Sequence, residues 1–201
     1  LTASLALIDL EKNSFTFRMT GKEGKRNIGA HEFRLDAVEQ WQQAAERWKN
    51  SGPDAINCFE FPKEIMPQLW ELFSEVFESM PEDARPTLAD VPNGIYTTEG
   101  YCKFGYLGFS HTRKATEEEK TIVLRFAREF GTVYQRFLDL QKAEAQAREA
   151  QIEAGLERVR YSAMAMQSSE EVSAATAVVF HEISALGIET MRCGITILHN
   201  D

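Results

Sequence analysis

Between Ala115 and Met166 the sequence runs for about fifty residues without a proline and with two isolated glycines, Gly131 and Gly155. The pattern predicts one uninterrupted helix. Its start is marked by a capping box, in which Thr116 caps the first turn and Glu119 reaches back to it. At about 1.5 Å per residue such a helix spans roughly 75 Å, more than a compact domain of this size needs. A helix of that length joins two things, and in a soluble protein it pairs with another helix. The chain is therefore expected to hold a domain before the helix, residues 1–137, a linker over 138–167, and the start of a second unit over 168–201.

Composition narrows the function classes. A net charge of −9 repels phosphate backbones and anionic lipid, which argues against nucleic-acid and membrane-surface partners. No apolar run approaches the roughly 20 residues that span a bilayer, and the first residues carry no basic segment of a signal peptide. The chain begins with Leu1 rather than Met, as expected of a fragment. Cys58, Cys102 and Cys193 are far apart and odd in number, which fits a reducing, cytoplasmic setting rather than a disulfide framework. His31, His111 and His199 have no ligand spacing, so neither a metal nor a cofactor is expected.

Residues 3–19 alternate as a β-hairpin, with Leu5 and Leu7 in one strand, Phe15, Phe17 and Met19 in the other, and a polar turn over Asp9 to Ser14. Residues 21–31 form a Gly-rich basic loop without the strand-to-helix context of a P-loop, though positioned to favour an anionic ligand if it hangs over a pocket. Asp36 is expected to cap a helix with Val38, Trp41, Ala45 and Trp48 on one face, ending at Ser51-Gly52-Pro53. Ile56 to Phe61 reads as a strand. Pro67 opens a helix with a stripe from Leu69 to Met80, followed by a loop from Pro81 to Gly94. Ile95 to Thr98 and Tyr101 to Phe109 read as a second hairpin turning at Glu99-Gly100. Its last strand is apolar on both faces, which requires cover on both sides. The fold class is thus α+β, an antiparallel sheet covered by helices. Ile122, Phe126, Phe130 and Val133 of the long helix are expected to supply one cover.

Past residue 138 the helix is nearly all Ala, Glu, Gln, Lys and Arg, with little to bury. Ile152, Leu156, Val159, Ala163 and Met166 then recur at alternating spacings of four and three, the seam of a coiled coil and so of a homodimer. Phe126, Phe130, Val133, Phe137 and Leu140 show the same alternation in another register, so the seam slips over 141–151. A second capping box over Ser168 to Glu171 starts a helix that ends at Gly187, and Met191 to Leu198 reads as a strand. That strand, CGITILHND, is similar to SLALIDLEKN near the start, which suggests one period of a tandem repeat.

The segment FGYLGFSHTRKATEEEKTIVLRFAREFGTVYQRF, residues 104–137, resembles the end of a GAF domain. That family closes its sheet with a strand ending in Gly-x-Leu-Gly-Phe, then a polar loop, then a Thr-Glu-Glu-Glu helix start. The N-terminal hairpin fits the family's first two strands. The linker from Leu140 to Val172 resembles the signalling helix between tandem sensor domains of bacterial sensor histidine kinases, and the closing helix and strand fit the start of a second GAF-like unit. The NKFDE motif of cyclic-nucleotide-binding members is absent.

The resemblance implies a non-enzymatic sensory and dimerisation fragment of a two-component or related signalling protein. Sensor domains of this type hold ligands between the sheet and the smaller helices, and Trp41, Phe59 and Tyr96 are the candidate lining residues for an unknown small molecule. Two alternatives stay open. Phe180-His181-Glu182-Ile183 resembles a histidine-kinase phosphoacceptor box, although it lacks the basic residue and proline that normally follow. Otherwise the domain binds nothing and sets dimer geometry alone.

Overall fold

In the computed structural model, which describes residues 2–20, 29–168, 171–189, 191–196 and 198, the first hairpin forms from alternating apolar residues around a polar turn. Strand β1 (Thr2–Asp9) pairs antiparallel with β2 (Ser14–Met19). The Asp9 carboxylate closes the turn by accepting from the backbone N–H groups of Glu11 and Lys12, both at 3.1 Å. Of the basic loop expected over 21–31, residues 21–28 lie outside the described residues, and His31 belongs to the next strand. That strand, which the sequence pattern hides, is β3 (His31–Arg34), whose Phe33 stacks on Phe15.

Helix α1 (Glu39–Ser51) buries Trp41, Ala44 and Ala45 and closes on Gly52, whose φ of 70° suits glycine. Asp36 does not cap it. Its carboxylate is held by Arg34 at 2.6 and 2.8 Å, and Val38 occupies the cap position without a side-chain bond. Strand β4 (Ile56–Phe61) follows as the sequence indicates. The helix expected after Pro67 is two shorter ones, α2 (Met66–Leu72) and α3 (Ser74–Glu78). They break at Phe73, where the Ser74 hydroxyl donates to the Glu71 carbonyl at 2.7 Å. The break lets the Phe73 ring pack against Phe17, Phe33 and Trp41.

Strands β5 (Ile95–Cys102) and β6 (Gly105–His111) correct the second hairpin. Glu99-Gly100 is not a turn but lies inside β5, and the chain reverses at Lys103-Phe104 instead. Gly105 makes that reversal fit: its φ is 148°, and a Cβ there would lie 2.1 Å from the Ala6 carbonyl oxygen. The six strands form one antiparallel sheet in the order β3-β2-β1-β6-β5-β4. The main core lies on one face, with Ala6, Phe15, Phe17, Tyr101 and Tyr106 from the sheet under Trp41, Met66 and Leu69.

Helix α4 (Glu117–Met164) covers the other face with its first turns. Its capping box forms as read: the Glu119 N–H donates to Thr116 Oγ at 3.2 Å, and the Thr116 N–H donates to the Glu119 carboxylate at 2.8 Å. The face that meets the sheet differs from the expected one. Val123 and Ala127 are buried, whereas Phe126 and Val133 are 63% and 65% exposed, Ile122 is also exposed and Phe130 is half-buried. The contact selects small residues because the backbones run close. A Cβ on Gly100 would lie 3.0 Å from the Ala127 Cβ, and one on Gly131 would lie 3.0 Å from the Cys102 Cβ.

The chain divides into two units, Leu1–Gln135 and Arg136–Asp201. In the second, α5 (Val172–Ala185) packs on the last turns of α4. A Cβ on Gly155 would lie 3.2 Å from the Glu182 carboxylate, and Arg158 donates to both Glu182 carboxylate oxygens at 2.6 Å. At the start of α5 the Glu171 carboxylate accepts from the Gln167 N–H at 2.7 Å, one residue earlier than the expected box. Gly187, with φ of 80°, ends α5, and the Ile188 N–H bonds back to the Ile183 carbonyl. Where the closing strand is expected, the described residues 191–196 and 198 carry no strand and Ile195 is half exposed, while Ile197 lies outside the described residues. A strand needs a neighbouring ladder to satisfy its backbone, and the described residues of the second unit contain no other strand.

Candidate functional site

Strand alternation on β4, β5 and β6 builds the site. Register places Asn57 opposite Glu99, Phe59 opposite Thr97, and Phe61 opposite Ile95. These residues share the sheet face that looks toward α1, α2 and α3. Between that face and these helices lies a cavity of about 420 Å³, within the range of small-molecule sites. Phe17, Phe59 and Phe61 border it from the strands, and Trp41, Trp70, Phe73 and Phe77 from the helices. Its polar lining includes Thr97, Glu99, Tyr106 and Ser110 from the central strands, with Asp90 and His111 at the wall.

Glu99 dominates the chemistry. It is 1% exposed, and Asn57 donates to its carboxyl at 3.1 Å. The Tyr106 hydroxyl is its other hydrogen-bond partner. On the far side of Asn57, the amide oxygen accepts from the exposed Arg47 guanidinium at 2.9 Å. Burial pushes Glu99 up to about 8, against the weaker opposite pull of the Asn57 and Tyr106 hydrogen bonds. It is therefore a neutral acid at pH 7, able both to donate and to accept. Burial, and then the neighbouring Glu99, also push the Tyr101 and Tyr106 hydroxyls up, so both stay protonated. Gly108 accommodates the arrangement, since a Cβ there would lie 2.5 Å from the Thr98 carbonyl oxygen and 3.3 Å from the Glu99 Cγ. His111 lines the same cavity, and its Nδ1 is buried without a hydrogen-bond partner. Burial lowers its pKa, which keeps the imidazole neutral.

Of the three lining residues expected from sequence, Trp41 and Phe59 border this cavity and Tyr96 does not. Tyr96 has the opposite parity on β5. It lies with Cys58, Lys114 and Lys120 on the α4 side of the sheet, with the Lys114 ammonium 6.0 Å from its ring centroid. Sequence reasoning missed Glu99, Thr97, Asn57 and Tyr106. The available signal was a single carboxyl inside an otherwise apolar strand, which the adjacent glycine disguised as a turn.

The expected seam residues fall in the second unit. Ile152 and Val159 are half-buried on the side of α4 where Gly155 meets α5, while Leu156 and Ala163 are exposed. Met166 lies beyond the end of the helix. His181 is exposed on α5, but the neighbouring Glu182 carboxylate is occupied at both oxygens by Arg158, which lowers its pKa and withdraws it as a base. Among the described residues no three His, Cys, Asp or Glu side chains converge to hold a metal, and no helix is long and apolar enough to cross a membrane.

The fold and site thus define an α+β domain with a polar-lined aromatic cavity on one face of an antiparallel sheet and a long helix on the other. No family model, curated protein or solved structure matches the chain.

Proposed function

We propose that the chain is a non-enzymatic sensory and dimerisation fragment of a bacterial signalling protein, with a GAF-like domain that passes ligand occupancy into a long signalling helix. The observation that carries this reading is the division of labour along β5. Glu99 and Thr97 line the cavity, while the adjacent Gly100 and Thr98 lie toward α4. Gly100 approaches α4 so closely that a Cβ would touch both Ala127 and the Val123 carbonyl oxygen at 3.0 Å. A ligand that shifts Glu99 displaces the residue on which the helix rests, and tight packing converts small shifts into discrete changes of helix position.

Two chains pair in parallel through the long helix in this reading. What supports pairing is the exposed apolar pair Phe126 and Val133 on the first unit's part of α4. The slip over 141–151 is the bistable element. Inserting one residue there in a longer protein that carries an output domain uncouples regulation while each part stays folded; unchanged regulation rejects the relay. Native mass spectrometry of the purified chain tests pairing directly, and a monomer at high micromolar concentration rejects it.

A further inference from the structure

The cavity combines two features that are costly apart and productive together. Seven Phe and Trp rings border it, and among the described residues that line it there is no Lys or Arg. Its two acidic residues are Asp90 and Glu99. Asp90 is occupied, accepting from the Thr87 N–H and hydroxyl at 2.7 and 2.8 Å. Glu99 is different: its partners are the amide of Asn57 and the hydroxyl of Tyr106, and Arg47 stops one residue short, at the Asn57 oxygen. A side chain that served merely to hold Asn57 and Tyr106 would do so as well with the amide of glutamine. A carboxyl in an apolar enclosure without a basic partner carries the cost of burial and lacks its counter-charge. Aromatic faces attract cations, most strongly where water is excluded.

We infer that the cavity takes a small organic cation, an amine or quaternary ammonium with an apolar body, whose charge pairs with Glu99 among the aromatic rings. This rests on the ligand-sensing reading above and names its ligand class. Binding is an exchange of charge: the Glu99 carboxyl releases its proton to solvent as the cation enters, so net charge in the cavity stays at zero. The groups that face Glu99 are Asn57 from β4, Tyr101 on its own strand, Tyr106 from β6, and Arg47 of α1 through Asn57, with His111 and Asp90 on the cavity wall. Both tyrosines keep their protons across the neutral range, and His111 is already neutral there. The proton that leaves is that of Glu99.

The test uses the full chain at 150 mM salt, which screens the general attraction of an acidic protein for cations. Isothermal titration compares benzyltrimethylammonium, whose charge does not change with pH, with benzyl alcohol and phenylacetate. The cation is expected to bind best, about twenty-fold tighter at pH 8.5 than at pH 6.5, with one proton released at the lower pH. Glu99→Gln is expected to weaken cation binding at pH 8.5 at least tenfold and leave benzyl alcohol unchanged. Trp70→Leu, at the wall, is expected to lower the preference for cation over alcohol. Benzyl alcohol binding as tightly as the cation overturns the inference, as does a pH-independent affinity or an unaffected Glu99→Gln. Tightest binding of phenylacetate overturns it in favour of an anion site. In those cases a ligand site remains and the sensory reading stands. Failure of all three probes to bind or to alter tryptophan fluorescence removes the ligand reading as well.

Discussion

Glu99 makes a prediction about stability that needs no ligand. Its carboxyl titrates near 4.5 in an unfolded chain and at about 8 when buried in the sheet. Below pH 4.5 both states hold the proton and the fold carries no penalty from this group. As pH rises, the unfolded chain ionises first, so stability falls by about 1.4 kcal/mol per pH unit until the folded carboxyl also ionises. Over the whole window the loss is on the order of 5 kcal/mol, a large share of the 5–15 kcal/mol typical of a domain. Glu99→Gln keeps the shape and the bond from Asn57 but cannot ionise. At pH 5, where the folded carboxyl holds its proton, it is expected to be within about 1 kcal/mol of the parent, since its amide can both accept and donate in the acid's place. At pH 8.5 it is expected to be more stable than the parent by several kcal/mol, so the two curves diverge as pH rises. Urea unfolding of both proteins at half-unit intervals from pH 5 to 8.5 measures this. Subtracting one curve from the other cancels His111 and the surface carboxylates, which both proteins share. A difference that stays constant with pH refutes a buried neutral Glu99.

Three further expectations concern the helix. Gly100→Val places two methyls where a Cβ already lies 3.0 Å from Ala127 and Val123, and is expected to cost about 1–3 kcal/mol in urea unfolding; a neutral outcome means that α4 does not press on β5. Thr116→Ala removes the helix cap and is expected to cost about 1 kcal/mol. The hydrogen bond from Arg113, then the Thr116 N–H, hold Glu119 down to about 2, so that contribution is present above pH 4.5 and is lost as pH falls through about 2. An acid-unfolding curve that Arg113→Ala leaves unmoved counts against it. Phe126→Ser with Phe137→Ser, both on exposed positions, is expected to leave the thermal midpoint of the first unit within a few degrees while turning dimer into monomer in native mass spectrometry; a variant that still pairs relocates the interface.

Local chemistry made part of this fold legible. β4, the first hairpin, α1 and the start of α4 each carry a pattern of period or a cap that few other structures accept. β3 was hidden because His31, Glu32 and Arg34 surround a single apolar Phe33, so the strand owes its existence to pairing with β2. The second hairpin was misread because Glu-Gly is good turn chemistry. Here the glycine serves the approach of α4, and the glutamate serves the cavity, two demands that arise from tertiary contacts. An aromatic composition points to Tyr96 as a lining residue, but the parity of β5 turns Thr97 and Glu99 to the cavity and Tyr96 away from it. On α4 apolar size points to Ile122, Phe126, Phe130 and Val133 as the packing face, but close backbone contact favours the smallest residues, Ala127 and Gly131.

From Asp139 to Gln151, α4 is exposed on every side. Apart from Arg148, which donates to the Leu186 carbonyl at 2.5 Å, its side chains stand in solvent, so its order rests mainly on the intrinsic preference of its alanines and long side chains. Its neighbours are helical on both sides, and a break inside it would require a new start, with a nucleation cost of about 4 kcal/mol. A single glycine there costs only about 1 kcal/mol and leaves the ends intact. The span is therefore cheap to soften yet continuous at rest, the properties of a torsion rod whose stiffness can be set by composition. Evolution or design can adjust that stiffness without altering a residue of the sheet, its cavity or α5.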